Sequence, residues 1–434
     1  MIFGLNANTR MKKLAGAIVL AVTASSVHAA IQVGGGTMSP AVGFVGNVSH
    51  RLNAAPDPGS FFDAYKTVTG TPVSYCQTGS GMGRNILTGA SGTNVQNDCA
   101  PDFPSTVPVT GFGSATVGRP SLTQPDFAAS DLTLSTGDFS GYVSHHGSGR
   151  PVQFPAVAAS IAIAYNNAAI SGTLNLTAMQ VCAIFNGTIT RWSELGITGS
   201  STDTMTIVYR YDGSGTSFGF GNWLSANCPA SPAGHFITDP VFTTVVSQYV
   251  SAPGPHWVGA NGNSGVMDEL SSIDGAIGYA EAANAQTALG VSLATVNGKD
   301  PLADLGNPLH GYKVALRVAD IVYNNAVIGV TGAGRPILGA IPGAPATSCI
   351  AMVKPDAYAA PLTGYPIITM THLLGNSQGN GTDVSAVRKL LGAPFNPAVI
   401  AATQTIGGGI TGLSFFDISA AGITQSQIDS CVIN

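Results

Sequence analysis

The stretch TIVYRYDGSGTSFGFGNWLS, residues 206–225, constrains the fold of this chain more than any other segment. It begins with β-branched and apolar residues, breaks at Gly213-Ser214-Gly215, and continues with apolar residues at helical spacing. This order predicts a buried strand, a glycine turn and the N-terminus of a helix. Because the first turn of a helix has unpaired N–H groups and partial positive charge, the stretch predicts an anion site.

Side chains on both sides of the glycine turn suit such a ligand. Arg210 supplies a planar fork of N–H donors for an oxyanion, and Asp212 is placed to hold the guanidinium. Ser214 and Thr216 add hydroxyl donors. Together they predict a cradle for a small tetrahedral anion, although serine and threonine also form ordinary N-caps at such positions.

The same stretch supports a second interpretation. Residues 215–219, GTSFG, match the G-x-S-x-G nucleophile elbow, in which Ser217 would be the nucleophile of a serine hydrolase. The pattern is short, and a chain with 55 glycines produces such matches by chance. No motif places a histidine beside Ser217 as its base. The candidate partners are histidines elsewhere in the chain: His235, His256, His310 and His372.

The N-terminus has the features of a secretory signal peptide. Basic residues precede an apolar segment at Leu14–Ala24, and Val27-His28-Ala29 is a small-x-small cleavage site, so residues 1–29 are the expected signal. The remaining chain has 14 basic and 22 acidic residues, a net charge of −8. This balance argues against nucleic-acid binding, and no later apolar run is long enough to anchor the chain in a membrane.

Six cysteines in an exported chain predict three disulfides, and sequence alone permits many pairings. Sequence proximity favours Cys76–Cys99 and Cys182–Cys228, which leaves Cys349–Cys431. Neither a CxxC motif nor a Cys/His ligand spacing is present, so no metal and no cofactor are expected.

Strands alternating with helices predict an α/β fold with mixed or mostly parallel sheets flanked by helices. Two long apolar segments, Gln153–Asn166 and Tyr365–Leu374, are predicted to be strands that cross between two lobes. The first lobe is then discontinuous, with residues 30–161 and 363–434 in lobe I and residues 162–362 in lobe II. A ligand cleft is expected between the lobes.

Polar residues near predicted strand ends have local and functional interpretations. Asp131 follows a short apolar stretch, where aspartate usually forms an N-cap or an Asx-turn. It could instead accept a hydrogen bond from a protonated ligand oxygen, and its charge would then disfavour a fully ionised anion such as sulfate. His145 and His146 lie in a Gly/Ser-rich segment and are predicted to be exposed loop residues.

Taken together, the motifs of this chain resemble periplasmic phosphate-binding proteins of the PstS type, particularly their DING branch. The resemblance covers roughly residues 31–434. It rests on an ordered set of motifs: GGGTMSP at 34–40, GSGMG at 79–83, FAASD at 127–131, VQFPAVAASIAIAYN at 152–166, VCAIFNGTITRWSEL at 181–195, YRYDGSGTS at 209–217, GNSGVMDEL at 262–270 and GYPIITMTHLL at 364–374.

The resemblance implies a two-lobed type 2 periplasmic-binding fold that closes on one phosphate. It places Thr37 and Asp212 in supporting roles, Asp212 as the residue that orients the arginine. Relatives usually have threonine where this chain has Met38, so that hydroxyl is absent or is supplied by Thr37 or Ser39. The phosphate-binding residues that the resemblance implies are Met38, Ser39, Ser80, Asp131, Arg210, Ser214, Gly215 and Thr216.

The function implied by the resemblance is capture of inorganic phosphate, as HPO4²⁻, by a periplasmic or secreted receptor without catalytic residues. Arsenate is expected to compete, an ABC permease is a candidate partner, and a monomer without a membrane anchor is expected. Two alternatives remain open. One is a secreted phosphatase or esterase on the same scaffold, and the other is an extracellular binding protein without a transport role.

Overall fold

The structure is a computed structural model that describes residues 30–48, 50–90, 99, 118–250, 254–305, 314, 317–361, 363–407, 409–416 and 422–434. The predicted signal peptide and His310 lie outside these residues. Within the described ranges, no helix is both long and apolar enough to cross a membrane.

Strands and helices alternate along the described chain. The strands are β1 (Gln32–Gly36), β2 (Leu52–Asn53), β3 (Val73–Gln77), β4 (Phe127–Ser130), β5 (Pro151–Asn166), β6 (Asn175–Leu176), β7 (Thr206–Arg210), β8 (Trp257–Ala260), β9 (Ala276–Glu281), β10 (Ser292–Val296), β11 (Ile321–Tyr323), β12 (Asn325–Val330), β13 (Pro336–Ala340), β14 (Ala351–Val353), β15 (Ile368–Asn376) and β16 (Leu413–Phe415). The α-helices are α1 (Ala41–Val45), α2 (Phe61–Thr69), α3 (Ser80–Thr88), α4 (Thr136–His146), α5 (Ala178–Phe185), α6 (Gly215–Asn227), α7 (Phe242–Val245), α8 (Gly262–Ser272), α9 (Ala282–Ala285), α10 (Pro355–Ala359), α11 (Val384–Gly392), α12 (Pro397–Ala402) and α13 (Gln425–Cys431). Short 3-10 helices span Trp192–Leu195, Val318–Asp320, Gly381–Asp383 and Ala393–Phe395.

A mixed sheet organises these elements, with the strand order β2-β3-β1-β4-β15-β5-β9-β7-β8. Strand β1 pairs in parallel with β3 and β4, and β7 pairs in parallel with β8 and β9. Between these groups, β15 and β5 pair antiparallel with each other and with their outer neighbours β4 and β9. The mixed α/β architecture confirms the predicted fold class.

The two predicted crossing segments form β5 and β15, the strands that join the two parallel groups. Every residue of β5 except Asn166 is buried, and its near-continuous apolar run is typical of a strand covered on both faces. Phe154 contributes to one hydrophobic core, whereas Ile161 and Ile163 contribute to another. One strand therefore contributes to both halves of the molecule, while the lobe boundaries at 161/162 and 362/363 stay a prediction.

His145 and His146 lie in a helix, so the predicted loop at this place is wrong. They form the last turn of α4, where His145 is exposed and the half-buried His146 ring stacks on Tyr142 at 4.1 Å between centroids. The helix begins with a capping box, in which Ser135 accepts from the Asp138 N–H and Asp138 accepts from the Ser135 N–H. This local signal outweighs the Gly/Ser-rich composition.

The structure contains disulfides between Cys76 and Cys99, Cys182 and Cys228, and Cys349 and Cys431. These are the pairs that sequence proximity favours. The last pair ties the segment before β14 to the C-terminal helix α13, across a sequence separation of 82 residues. It therefore closes a long loop in the unfolded chain.

Replacing Cys349 and Cys431 together with alanine is expected to lower the free energy of unfolding by about 2–4 kcal/mol, because the unfolded chain regains the freedom of that loop. Guanidinium denaturation of the purified protein measures the loss. The matched variant lacks Cys76 and Cys99, which are separated by only 23 residues, and is expected to lose less. A larger loss in the matched variant would contradict this explanation.

Candidate anion-binding site

The carboxyl ends of parallel strands bring polar residues together from one half of the sheet. Strands β1, β3 and β4 end just before Thr37, Ser80 and Asp131, respectively. Because these strands are parallel neighbours, their ends lie at one edge. In α/β sheets this edge is the usual place for a ligand.

The second half of the sheet presents its own edge. Strand β7 ends at Arg210 and its parallel neighbour β9 ends at Glu281, while Asn263 lies in the first turn of α8 after β8. Ser39 Oγ lies 2.6 Å from Glu281 Oε1, so the two edges are in direct contact. The side chains between them surround a small cavity.

The cavity is small and mostly polar, so it suits a small ion better than a sugar or peptide. Its lining contains every phosphate-binding residue implied by the resemblance, together with Thr37. Gly79, Asn263 and Glu281 join this lining without having been predicted. The lining residues are Thr37, Met38, Ser39, Gly79, Ser80, Asp131, Arg210, Ser214, Gly215, Thr216, Asn263 and Glu281.

Helices α3 and α6 are among those that start at the cavity. Helix α3 begins at Ser80, directly after Gly79, whose φ of +88° is a conformation that favours glycine. Helix α6 begins at Gly215, and its N-cap Ser214 accepts a hydrogen bond from the Ser217 N–H. The unpaired N–H groups and partial positive charge of both helix ends favour an anion in the cavity.

Gly215 makes the close approach of the two halves possible. A Cβ atom added there would lie 2.3 Å from the Asp131 Cβ and 3.0 Å from the Ser80 Oγ. Any side chain at this position would push the start of α6 away from Asp131. The predicted strand, turn and helix are confirmed. The close approach of Asp131 explains why position 215 is a glycine.

Arg210 is a buried cation held by Asp212. Its Nε and Nη2 donate to Asp212 Oδ1 and Oδ2 at 2.7 and 2.5 Å, and its Nη1 donates to Asn263 Oδ1 at 2.8 Å. Although burial favours the neutral form of each, the pair raises the pKa of Arg210 and lowers the pKa of Asp212. Arg210 is therefore charged, and its guanidinium group has a fixed orientation because it donates to both carboxylate oxygens of Asp212.

Asp131 accepts hydrogen bonds from hydroxyl groups at both of its carboxylate oxygens. Thr37 Oγ1 donates to its Oδ2 at 2.5 Å, Thr371 Oγ1 donates to its Oδ1 at 2.6 Å, and Ser39 Oγ is also in contact with Oδ2. Burial raises the pKa of Asp131, against the effect of these hydroxyls and of Arg210. This chain has Met38 where relatives usually have threonine, and hydroxyl groups are supplied here by its neighbours Thr37 and Ser39.

Glu281 is the acidic lining residue that sequence reasoning missed. It is fully buried, its Oε1 contacts the hydroxyls of Ser39 and Thr216, and its Oε2 has no hydrogen-bond partner among the described residues. Burial, followed by the charge of Asp131, raises its pKa. The signal that could have found it is the one used for Asp131, a lone carboxylate at the end of an apolar strand.

Ser217, the alternative nucleophile, lies beside the cavity without lining it. It is fully buried in α6, and its hydroxyl is 2.7 Å from the Tyr279 hydroxyl. Of the candidate bases, His235 contacts Gln248, His256 lines a separate apolar cavity, and burial lowers the pKa of His372 to about 4. These contacts do not form a nucleophile and base directed at the anion cavity.

Within the described part of the chain, no cluster of three or more His, Cys, Asp or Glu side chains could hold a metal ion. The acidic side chains at the cavity instead contact hydroxyls, amides and Arg210. The arrangement is that of a hydrogen-bonding site for a small anion with one buried cation.

A family model described as a PBP superfamily domain matches residues 58–338, well over half of the chain. The chain belongs to the PBP superfamily. Among curated proteins, alkaline phosphatase L of Pseudomonas aeruginosa is 29% identical over 279 residues, which cover 64% of this chain and 63% of that protein. The PstS phosphate-binding protein of Xylella fastidiosa is 32% identical over 167 residues, 37% of this chain and 41% of its own. These matches span less than two thirds of either relative.

Solved structures show the same fold over nearly the whole chain. A periplasmic phosphate-binding protein of the DING type, solved with phosphate, has a TM-score of 0.60 at 21% identity, covering 92% of this chain and 93% of that one. A phosphate-binding protein from Stenotrophomonas maltophilia has a TM-score of 0.54 at 22% identity, covering 93% of each chain. These likenesses establish the two-lobed PBP fold, and the PstS and DING resemblance drawn from the motifs is confirmed.

Proposed function

We propose that this protein is an exported receptor that captures inorganic phosphate in the cavity between its two halves. The main support is the position of Arg210, a buried cation held by the Asp212 carboxylate beside the N-terminus of α6. This helix end lies directly opposite Asp131. Arg210 and the helix ends stabilise the negative charge of the anion, while Asp131 requires a proton on it. HPO4²⁻ has both the negative charge and the proton, and the names of several relatives support this ligand.

Calorimetric titration of the purified chain, without residues 1–29 and stripped of ligand, tests the proposal. We expect one phosphate per chain, competition by arsenate, and no heat from sulfate. Absence of phosphate binding at neutral pH would overturn the proposal. A monomer in size-exclusion chromatography, cleavage after residue 29 and coupling to an ABC permease remain separate predictions, supported by the signal-like N-terminus and the PstS resemblance.

Replacing Asp131 with asparagine is expected to weaken discrimination between phosphate and sulfate by about tenfold or more. Sulfate facing Asp131 has no proton to donate, and an unpaired buried acceptor costs about 1–3 kcal/mol. The uncharged amide removes that penalty. Competition titrations with both anions measure the ratio of the two affinities.

Asp126 provides the matched control for this substitution. It is a buried carboxylate next to β4 that accepts from the Val33 N–H, and it does not line the cavity. The Asp126→Asn variant should keep the discrimination of the wild-type protein. If Asp131→Asn kept it as well, Asp131 would have no part in choosing the anion.

A secreted phosphatase is the second candidate, and it is supported by the name of the Pseudomonas relative, alkaline phosphatase L. An anion cradle would also stabilise the charge of a phosphoryl transition state. Hydrolysis of a chromogenic phosphate ester by the wild-type chain, lost in Ser217→Ala, would favour an enzyme that uses the predicted elbow. Equal rates for both proteins would leave Ser217 without a catalytic role.

A further inference from the structure

The two buried carboxyl groups of the cavity are joined by a single hydroxyl. Ser39 Oγ lies 2.6 Å from Glu281 Oε1 and is also in contact with Asp131 Oδ2. A serine hydroxyl has one hydrogen to donate and accepts through its lone pairs. It can therefore donate to only one of the two carboxylates, and the other contact needs a hydrogen from the carboxyl group.

The remaining hydroxyls cannot supply that hydrogen. Thr37 and Thr371 each donate their only hydroxyl hydrogen to Asp131, and Thr216 donates its own to Glu281. With one hydrogen from each hydroxyl, one contact of Ser39 is still without a hydrogen. The geometry is complete only if Asp131 and Glu281 together hold one acidic proton.

We infer that Glu281 is a second, proton-carrying specificity residue of the anion site, and that phosphate binds while Asp131 and Glu281 share a proton. This inference rests on the proposed function. The shared proton fills the Ser39 contact and removes one negative charge from the wall of the cavity, so the anion faces one carboxylate charge instead of two. When the pair is ionised before binding, the proton comes from solvent and forms one carboxyl O–H bond; no bond between heavy atoms changes.

The charges around the cavity lead to the same conclusion. Arg210 is the one cationic side chain among the lining residues that the structure describes, and Asp212 already pairs with it. A dianion next to two further ionised carboxylates would face repulsion without compensation in a buried site. The bound anion should therefore raise the affinity of the pair for its proton.

Other titratable groups around the pair do not change charge near neutral pH. Burial raises the pKa of Tyr75, Tyr279 and Tyr358 and lowers the pKa of His372 to about 4. The Arg210–Asp212 pair stays ionised, since each partner stabilises the charge of the other. A pH dependence of phosphate affinity that Glu281→Gln removes would therefore report on the carboxyl pair.

Proton uptake on phosphate binding tests the inference directly. Titrations of wild-type protein and Glu281→Gln are performed at pH 7, 8 and 9, each in two buffers with different ionisation enthalpies. We expect the wild-type chain to take up more protons than the variant at pH 9. The ratio of the variant's affinity to that of the wild type should rise by up to about tenfold per pH unit, because the amide donates a hydrogen at every pH.

Glu269→Gln is the matched control, since Glu269 lies in α8 outside the cavity lining, and it should behave as wild type. Equal proton uptake and a constant affinity ratio for Glu281→Gln would overturn the inference while leaving phosphate capture intact. If Glu281→Gln does not fold, Glu281→Ser removes the carboxyl group and keeps a donor, with the same expected results. Absence of phosphate binding by the wild-type chain at every pH would instead overturn the proposed function.

The ligand-free protein gives a second, independent test. A carboxyl with a raised pKa in the folded state binds its proton more tightly there than in the unfolded chain, so stability falls as pH rises through the folded pKa. We expect the Tm of the wild-type chain to decline between pH 5 and 9 more steeply than that of Glu281→Gln. Parallel Tm curves would contradict the shared proton even if no ligand were known.

Discussion

Replacing Arg210 with alanine is expected to weaken phosphate binding by roughly 30-fold to several thousand-fold, since removing one partner of a buried charge pair costs about 2–5 kcal/mol. The variant loses the buried cation of the cavity and leaves Asp212, which was held by two hydrogen bonds, without its partner. The remaining carboxylate adds repulsion toward the anion. Calorimetric titration at neutral pH measures the change in Kd.

Arg335→Ala is the control for the loss of an arginine. Arg335 donates to Asp356 at 2.5 Å and to the Asn222 carbonyl oxygen, and it does not line the cavity. This variant is expected to lose some stability but to bind phosphate with the wild-type Kd. If Arg210→Ala bound phosphate as tightly as this control, the cavity would not be the phosphate site.

Replacing Gly215 with alanine is expected to have the second large effect. Phosphate affinity should fall by about 100-fold or more, while the fold is retained. The added Cβ would lie 2.3 Å from the Asp131 Cβ, a distance that such atoms do not adopt. The start of α6 must therefore move away from Asp131, and the N–H groups of its first turn no longer converge with the donors opposite.

Gly213 offers a control two residues earlier. A Cβ added there meets no atom within 4 Å, and its backbone is not in the left-handed region. Gly213→Ala should bind phosphate within about threefold of wild type, because substitutions away from close contacts usually change little. Circular dichroism confirms that both variants are folded. Equal affinities for the two alanine variants would show that the close approach at Gly215 is dispensable.

Local patterns in the chain were enough to predict one side of the candidate site, whereas Met38, Ser39 and Ser80 on the other side were implied by the family resemblance. Arg210, Asp212, Ser214, Gly215 and Thr216 lie within one strand–turn–helix segment, so their proximity follows from a few backbone turns. The alternation of strands and helices likewise predicted the α/β fold, because periodicity and glycine breaks act over short distances. Where such a local signal was overlooked, as in the capping box of α4, the prediction was wrong.

Glu281 shows what local patterns cannot supply. It lies 242 residues from Ser39 in the chain, and a single carboxylate at the end of an apolar strand has no motif of its own. The parallel register of β7 and β9 brings Glu281 to the same edge as Arg210, and the antiparallel strands β5 and β15 bring that edge to Asp131. Asn263 and Thr371 reach the site in the same way.

The sequence by itself determined that this chain forms an α/β fold with an oxyanion cradle at the N-terminus of a helix, since those features depend on neighbouring residues. Only the tertiary structure decided how many carboxyl groups face that cradle and which hydroxyls they share. The reason is physical: the protonation of Asp131 and Glu281 depends on burial and on their mutual contact through Ser39, which exist only when both halves of the sheet meet.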